Sequence, residues 1–216
     1  HQIYPADATD MVSTMYFPAV RIRDYLKTHR DRPYLSCEYA HAMGNSCGAV
    51  DKYTELAYEE PLYQGGFIWD FIDQSMPRTD RYGNSYQAFG GDFGDRPSDF
   101  SFCVNGLVYG DNHAPSPKMQ EIRTLYQNIH MTFEDDHSVI IENRNLFLNT
   151  EVYDAVFTLE RQGRLLKKAI VNIAVPPLEM ARTGLPFELP VIEGEYVLTL
   201  LFRLREDTAW ADRGYE

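Results

Sequence analysis

Pro33-Tyr34-Leu35-Ser36-Cys37-Glu38-Tyr39-Ala40-His41-Ala42-Met43-Gly44-Asn45-Ser46 begins as a short extended run and passes directly into a carboxylate, an imidazole and a glycine-containing turn. A run this short, bounded by Pro33 on one side and turn residues on the other, reads as a strand rather than a helix. A helix over about 49–59 follows, with Asn45 or Ser46 as its cap and Pro61 ending it. The same cycle stands on either side. Before it, residues 10–15 alternate as a short strand, and Pro18 precedes a helical stretch over 20–29 that carries Val20, Ile22, Tyr25 and Leu26. After it, residues 63–69 read as a third strand, and Ser116-Pro117 opens a helix over 117–126.

Strands that alternate with helices imply parallel pairing, because a parallel neighbour needs a crossover connection. The expected class is therefore α/β at this end, the last three βα units of a TIM-type barrel. Between the third strand and the last helix, residues 76–116 are far longer than an ordinary βα loop, and such loops in compact domains are usually functional or disordered. Tyr82, Tyr86, Phe89, Phe93, Phe100 and Phe102 favour a packed one. Beyond Asn128 the texture changes to short β-rich runs at 129–133, 139–142, 146–148, 152–160, 169–175 and 196–204. Glu134-Asp135-Asp136 and Gln162-Gly163 mark turns among them. The expectation there is an all-β, immunoglobulin-like antiparallel sandwich over 128–216, following a barrel portion over 1–127.

Composition narrows the function classes. The chain has 216 residues and a net charge of -12, with 44% hydrophobic and 13% aromatic content. That is enough apolar material for one large or two modest cores. An acidic balance without a basic stripe speaks against nucleic acid as partner. Cys37, Cys47 and Cys103 show no C-x-x-C spacing, so neither a disulfide framework nor a zinc knuckle is expected and reduced thiols are favoured. No apolar run reaches the roughly 18 residues that a membrane helix needs, and no secretory leader pattern opens the chain. The start at His1-Gln2-Ile3-Tyr4-Pro5 reads as cut from something longer, so the compartment stays open, with the cytoplasm mildly favoured.

The stretch around Glu38 resembles the nucleophile region of the β-galactosidases of glycoside hydrolase family 2. Thr14-Met15-Tyr16, Gln64-Gly65-Gly66-Phe67-Ile68-Trp69-Asp70, Gly90-Gly91-Asp92-Phe93-Gly94-Asp95 and Phe102-Cys103-Val104-Asn105-Gly106-Leu107 fall in that family's order. The resemblance implies a retaining mechanism, one carboxylate attacking the anomeric carbon while another protonates the leaving oxygen. Glu38 is the attacker it implies, and Tyr16 the phenol beside it. His41 matches a galactose-contacting histidine, and Trp69 a residue that offers the sugar a flat apolar face. Phe102 and Asn105 correspond to residues that help hold a sodium ion near the sugar, the first through its carbonyl and the second through its side-chain oxygen.

The departures are equally specific. The family's acid/base Glu, its Mg2+ ligands and an aspartate that completes the Na+ site lie on parts this chain does not contain. Asp70, Asp73, Asp92 and Asp95 are accordingly read as structural. The expected function is that of a β-galactosidase fragment, inactive alone and completed by the remainder of a parent enzyme, which is expected to be a homo-oligomer. The competing readings are a carbohydrate-binding or assembly piece that uses open sheet edges, and a hydrolase of the same barrel type for β-glucuronides or β-mannosides.

Overall fold

The computed structural model describes residues 8–99, 102–134 and 137–216. The opening run 1–5, Phe100 of the aromatic loop and the Asp135-Asp136 turn lie outside them. The chain divides into two compact units, residues 1–126 and 127–216.

The first unit is built on three parallel strands, β1 (Val12–Met15), β2 (Tyr34–Tyr39) and β3 (Tyr63–Ile68), in the order β1-β2-β3. Helix α1 (Ala19–Leu26) connects the first pair and α2 (Asp51–Glu59) the second. Ile22 and Leu26, one helical turn apart, are fully covered and pack with Val12, Tyr34, Leu56 and Tyr63. The strand polar groups that enter this core find partners: Thr14 Oγ1 pairs with Tyr34 OH at 2.5 Å and Ser36 Oγ with Tyr63 OH at 3.2 Å. Gly66 permits the close approach of β3 to β2, since a Cβ there would lie 2.6 Å from Ser36 Cβ and from its carbonyl oxygen. These are successive βα units of a TIM-type barrel. The pairing is not uniform, with register shifts between Thr14 and Met15 on β1 and on both sides of Ser36 on β2.

Two expectations for this unit need correction. Neither Asn45 nor Ser46 caps α2, which starts at Asp51 after Val50; Ser46 Oγ instead donates to His41 O and Met43 O, tying the preceding loop. The long stretch 76–116 contains a hairpin, β4 (Met76–Thr79) with β5 (Ser85–Ala88). Asp80 makes its turn by accepting from the Tyr82 and Asn84 N–H groups, the Asx chemistry that closes short loops. Helix α3 (Met119–Leu125) then buries Ile122 against Tyr39, Ala42, Val50 and Leu107.

The second unit holds two three-stranded antiparallel sheets. One has the order β10 (Met180–Gly184), β7 (Ser138–Asn143), β6 (Ile129–Phe133); the other β11 (Tyr196–Leu204), β8 (Tyr153–Arg161), β9 (Arg164–Val171). Ile129, Val139 and Ile141 of the first sheet share one core with Ala155, Phe157, Leu200 and Phe202 of the second, which makes a sandwich. Gln162 and Gly163 both take positive φ, 50° and 72°, the geometry of a tight hairpin turn, so β9 begins at Arg164 rather than at 169. The run 146–148 forms no strand. Asn143 Nδ2 donates to Leu148 O while its Oδ1 accepts from Asn145 N and Nδ2, and this local network holds the backbone in a bend. Phe157 is fully covered at the centre of the sandwich. Phe157→Ala is expected to lower unfolding free energy by about 3–5 kcal/mol, read from urea denaturation; a loss under about 1 kcal/mol would place that ring outside the core.

No helix among the described residues is long and apolar enough to cross a membrane. Cys37, Cys47 and Cys103 are free.

Candidate active site

The C-terminal ends of β1, β2 and β3 lie side by side, and the chain leaves the first two of them in an unusual way. Tyr16, directly after β1, has φ 54°, and Ala40, directly after β2, has φ 48°. Val104, on the loop that packs beside β3, has φ 58°. L-residues, β-branched valine above all, visit this left-handed region only when the surroundings over-determine it. Each such residue costs of order 1–3 kcal/mol, and such strain gathers at functional sites.

The turn after β1 brings Tyr16 N–H to Glu38 O at 2.8 Å, and the phenol O–H donates to Glu38 Oε2 at 2.6 Å. Glu38 sits inside β2, one residue before its end, with its side chain half-buried. Burial, first, and then the hydrogen bond to Glu38 and the nearby negative charges push the Tyr16 phenol well above its ordinary value. The shift favours the protonated phenol, which is the form that donates to Glu38.

His41 lies on the loop after β2, its ring 5.8 Å from that of Tyr16 and 5.3 Å from that of Phe102. Met43 N–H donates to Nδ1 at 3.4 Å, so the neutral ring carries its proton on Nε2. The loop is fixed from behind by the Lys118 ammonium, which donates to Ala42 O at 2.5 Å and to Gly44 O at 3.2 Å.

Trp69, directly after β3, donates its N–H to Tyr39 O at 3.1 Å and accepts from Ala42 N–H at 2.7 Å, which stitches the end of β3 to the His41 loop. The strip 70–73 then runs beside 105–108. Asp70 N–H donates to Asn105 O and Leu107 N–H to Asp70 O, both at 3.0 Å; Val108 N–H donates to Phe71 O at 2.9 Å and Asp73 N–H to Val108 O at 3.1 Å. Asn105 is 2% exposed. Burial, and after it the like charge of Asp73, raises the Asp70 carboxyl above its ordinary value.

Tyr16, Glu38, His41 and Phe102 thus meet through their side chains, while Trp69 and Asn105 join the group through backbone bonds. Three polar atoms here are buried with no hydrogen-bond partner: His41 Nε2, Asp70 Oδ1 and Asn105 Oδ1. Buried polar groups are nearly always paired. These three are left unsatisfied by the described residues. The sequence reading, which took Asp70 as structural, did not single out its buried, unpartnered oxygen, nor Lys118, whose bond to Ala42 O spans 76 residues. The only signal for Asp70 was its position next to a strand-end tryptophan.

The profile of the glycosyl hydrolases of family 2, TIM-barrel domain, matches residues 4–131, and that of domain 4 of β-galactosidase matches residues 139–216. A β-galactosidase of Halalkalibacterium halodurans is 49% identical over 215 residues, covering 97% of this chain and 21% of that protein. One from Clostridium acetobutylicum is 46% identical over 204 residues, covering 94% of this chain and 22% of that protein. The chain spans about a fifth of the length of these curated relatives. Among solved structures, a Bacteroides uniformis β-glucuronidase aligns over 91% of this chain and 26% of its own at 13% identity, with a TM-score of 0.37, a likeness too slight to bear on function.

Proposed function

The chain belongs to the glycosyl hydrolases of family 2, and from that premise we propose that it is the part of a larger retaining β-galactosidase that carries the nucleophile, Glu38. The observation that supports this most directly is the 2.6 Å hydrogen bond from Tyr16 to Glu38 Oε2 at the mouth of parallel strands. That bond occupies one carboxylate oxygen and fixes the rotamer, so that Oε1 is presented for attack on an anomeric carbon. Attack displaces the aglycone oxygen and leaves a covalent galactosyl ester on Glu38; water then opens the ester and regenerates the carboxylate. The relatives' names favour galactose over glucuronic acid or mannose.

His41 would donate from Nε2 to a sugar hydroxyl, and Trp69 would offer its indole to the apolar face of the ring. Asn105 suits the Na+ role as well. Its side-chain oxygen is buried and unpartnered, and a hard oxygen donor of that kind is what an alkali cation takes. Phe102 would add its carbonyl. Together these two oxygens would hold a sodium ion, whose positive charge would favour a nearby sugar hydroxyl oxygen. The Mg2+ of the family would, in this reading, be held by other parts of the enzyme.

A retaining site needs a second carboxyl group roughly 5–5.5 Å from the first to protonate the leaving oxygen. In this proposal that acid comes from the remainder of the parent enzyme, as does closure of the barrel, and the parent assembles as a homo-oligomer. The isolated 216-residue chain is therefore expected to fold but to release no chromophore from an aryl β-galactoside, while the complete enzyme does so. Sustained turnover by the isolated chain, lost in Glu38→Gln, would show that the acid lies within it and would overturn this division of roles.

A further inference from the structure

His41 Nε2 and Asp70 Oδ1 are buried and unpartnered, the one a hydrogen-bond donor in the tautomer fixed by Met43, the other an acceptor. They are held near each other by construction. Ala42, which follows His41, donates its N–H to the carbonyl of Trp69, which precedes Asp70. Asp70 also lies within electrostatic range of both His41 and Tyr16. A hydroxyl group satisfies such a pair by itself, because its oxygen accepts while its hydrogen donates.

We propose that one hydroxyl of the bound sugar bridges these two atoms, accepting from His41 Nε2 and donating to Asp70 Oδ1, which makes Asp70 a specificity-determining residue of the pocket. This rests on the reading of the site as a galactoside pocket and adds to it the acceptor that chooses the hydroxyl. The consequence is a steep penalty for a sugar that lacks that hydroxyl, since both buried groups would then stay unpaired.

The test is a set of aryl β-galactosides, each lacking one hydroxyl, turned over by the complete enzyme with and without Asp70→Ala. On the parent galactoside the substitution is expected to lower kcat/KM roughly 10- to 100-fold, the worth of one hydrogen bond to a charged group. On one deoxy substrate it is expected to cost almost nothing more, because the bond it removes is already missing. Should Asp70→Ala fail to fold, Asp70→Asn, which keeps the shape, should show the same coupling at roughly 3- to 10-fold. An equal penalty on every deoxy substrate would make Asp70 structural and overturn the proposal. Undiminished turnover in Glu38→Gln, assayed alongside, would overturn the reading of the whole site and the proposal with it.

Discussion

The complete enzyme carrying Glu38→Gln should hydrolyse an aryl β-galactoside at about a thousandth of the original rate or less, with its melting temperature unchanged. The amide is close to isosteric with the carboxylate, and its oxygen still accepts from the Tyr16 O–H, so the backbone turn that joins Tyr16 N–H to Glu38 O has no reason to move. What is lost, on the proposed role of Glu38, is the nucleophile. Without it the reaction must proceed by direct attack of water, for which a site built to hold carboxylate and anomeric carbon in contact leaves no room. A mass measurement on the original enzyme with a slow substrate should find one galactosyl group on the peptide that contains Glu38 and none in the variant. Retained hydrolysis would mean that another carboxylate attacks, and Asp70, at the end of the adjacent strand, would be the first to test.

The parallel core was legible because its strands are short apolar runs separated by helical ones: the first and third runs end within a residue or so of β1 and β3, and the second ends two residues short of β2. The pairing that brings Tyr16 to Glu38 followed from consecutive βα units. The errors have a common cause in local polar chemistry. Leu146, Phe147 and Leu148 look like strand residues, yet Asn143 and Asn145 capture the backbone there and leave the phenylalanine ring 87% exposed. Ser46 is a good cap by type, but the His41 loop claims its hydroxyl.

The site was legible only as a set of positions. That Tyr16 and Ala40 leave their strands, and Val104 sits in its loop, with positive φ has no signature in residue type, since glycine and asparagine are the usual occupants of that region. What sets Asp70 apart is one oxygen buried without a partner among the described residues, a property of three-dimensional packing that no local pattern encodes. Residue type offered the candidate groups, whereas tertiary structure decided which of their polar atoms remain unsatisfied.

Gly106→Ala is expected to damage both stability and catalysis although it touches no reactive group. A Cβ at this position would lie 2.2 Å from Asp73 N, 2.4 Å from Val108 O and 2.6 Å from Asp73 Cα. All three are backbone atoms, held by the paired strips 70–73 and 105–108, so none can swing aside as a side-chain tip would. Relief requires those strips to separate by about 1 Å, which strains the bonds from Asp70 N to Asn105 O and from Leu107 N to Asp70 O. The expected loss of unfolding free energy is about 3 kcal/mol or more, at the upper end for an over-packed interior. Asp70 and Asn105 would move with their backbone, and a displacement of that size at a binding constellation costs about 100-fold in kcat/KM. Urea denaturation of the chain measures the first effect and steady-state kinetics of the complete enzyme the second. A variant that loses stability but keeps its kinetics would detach this strip from the chemistry, because the same backbone hydrogen bonds are here held to carry both.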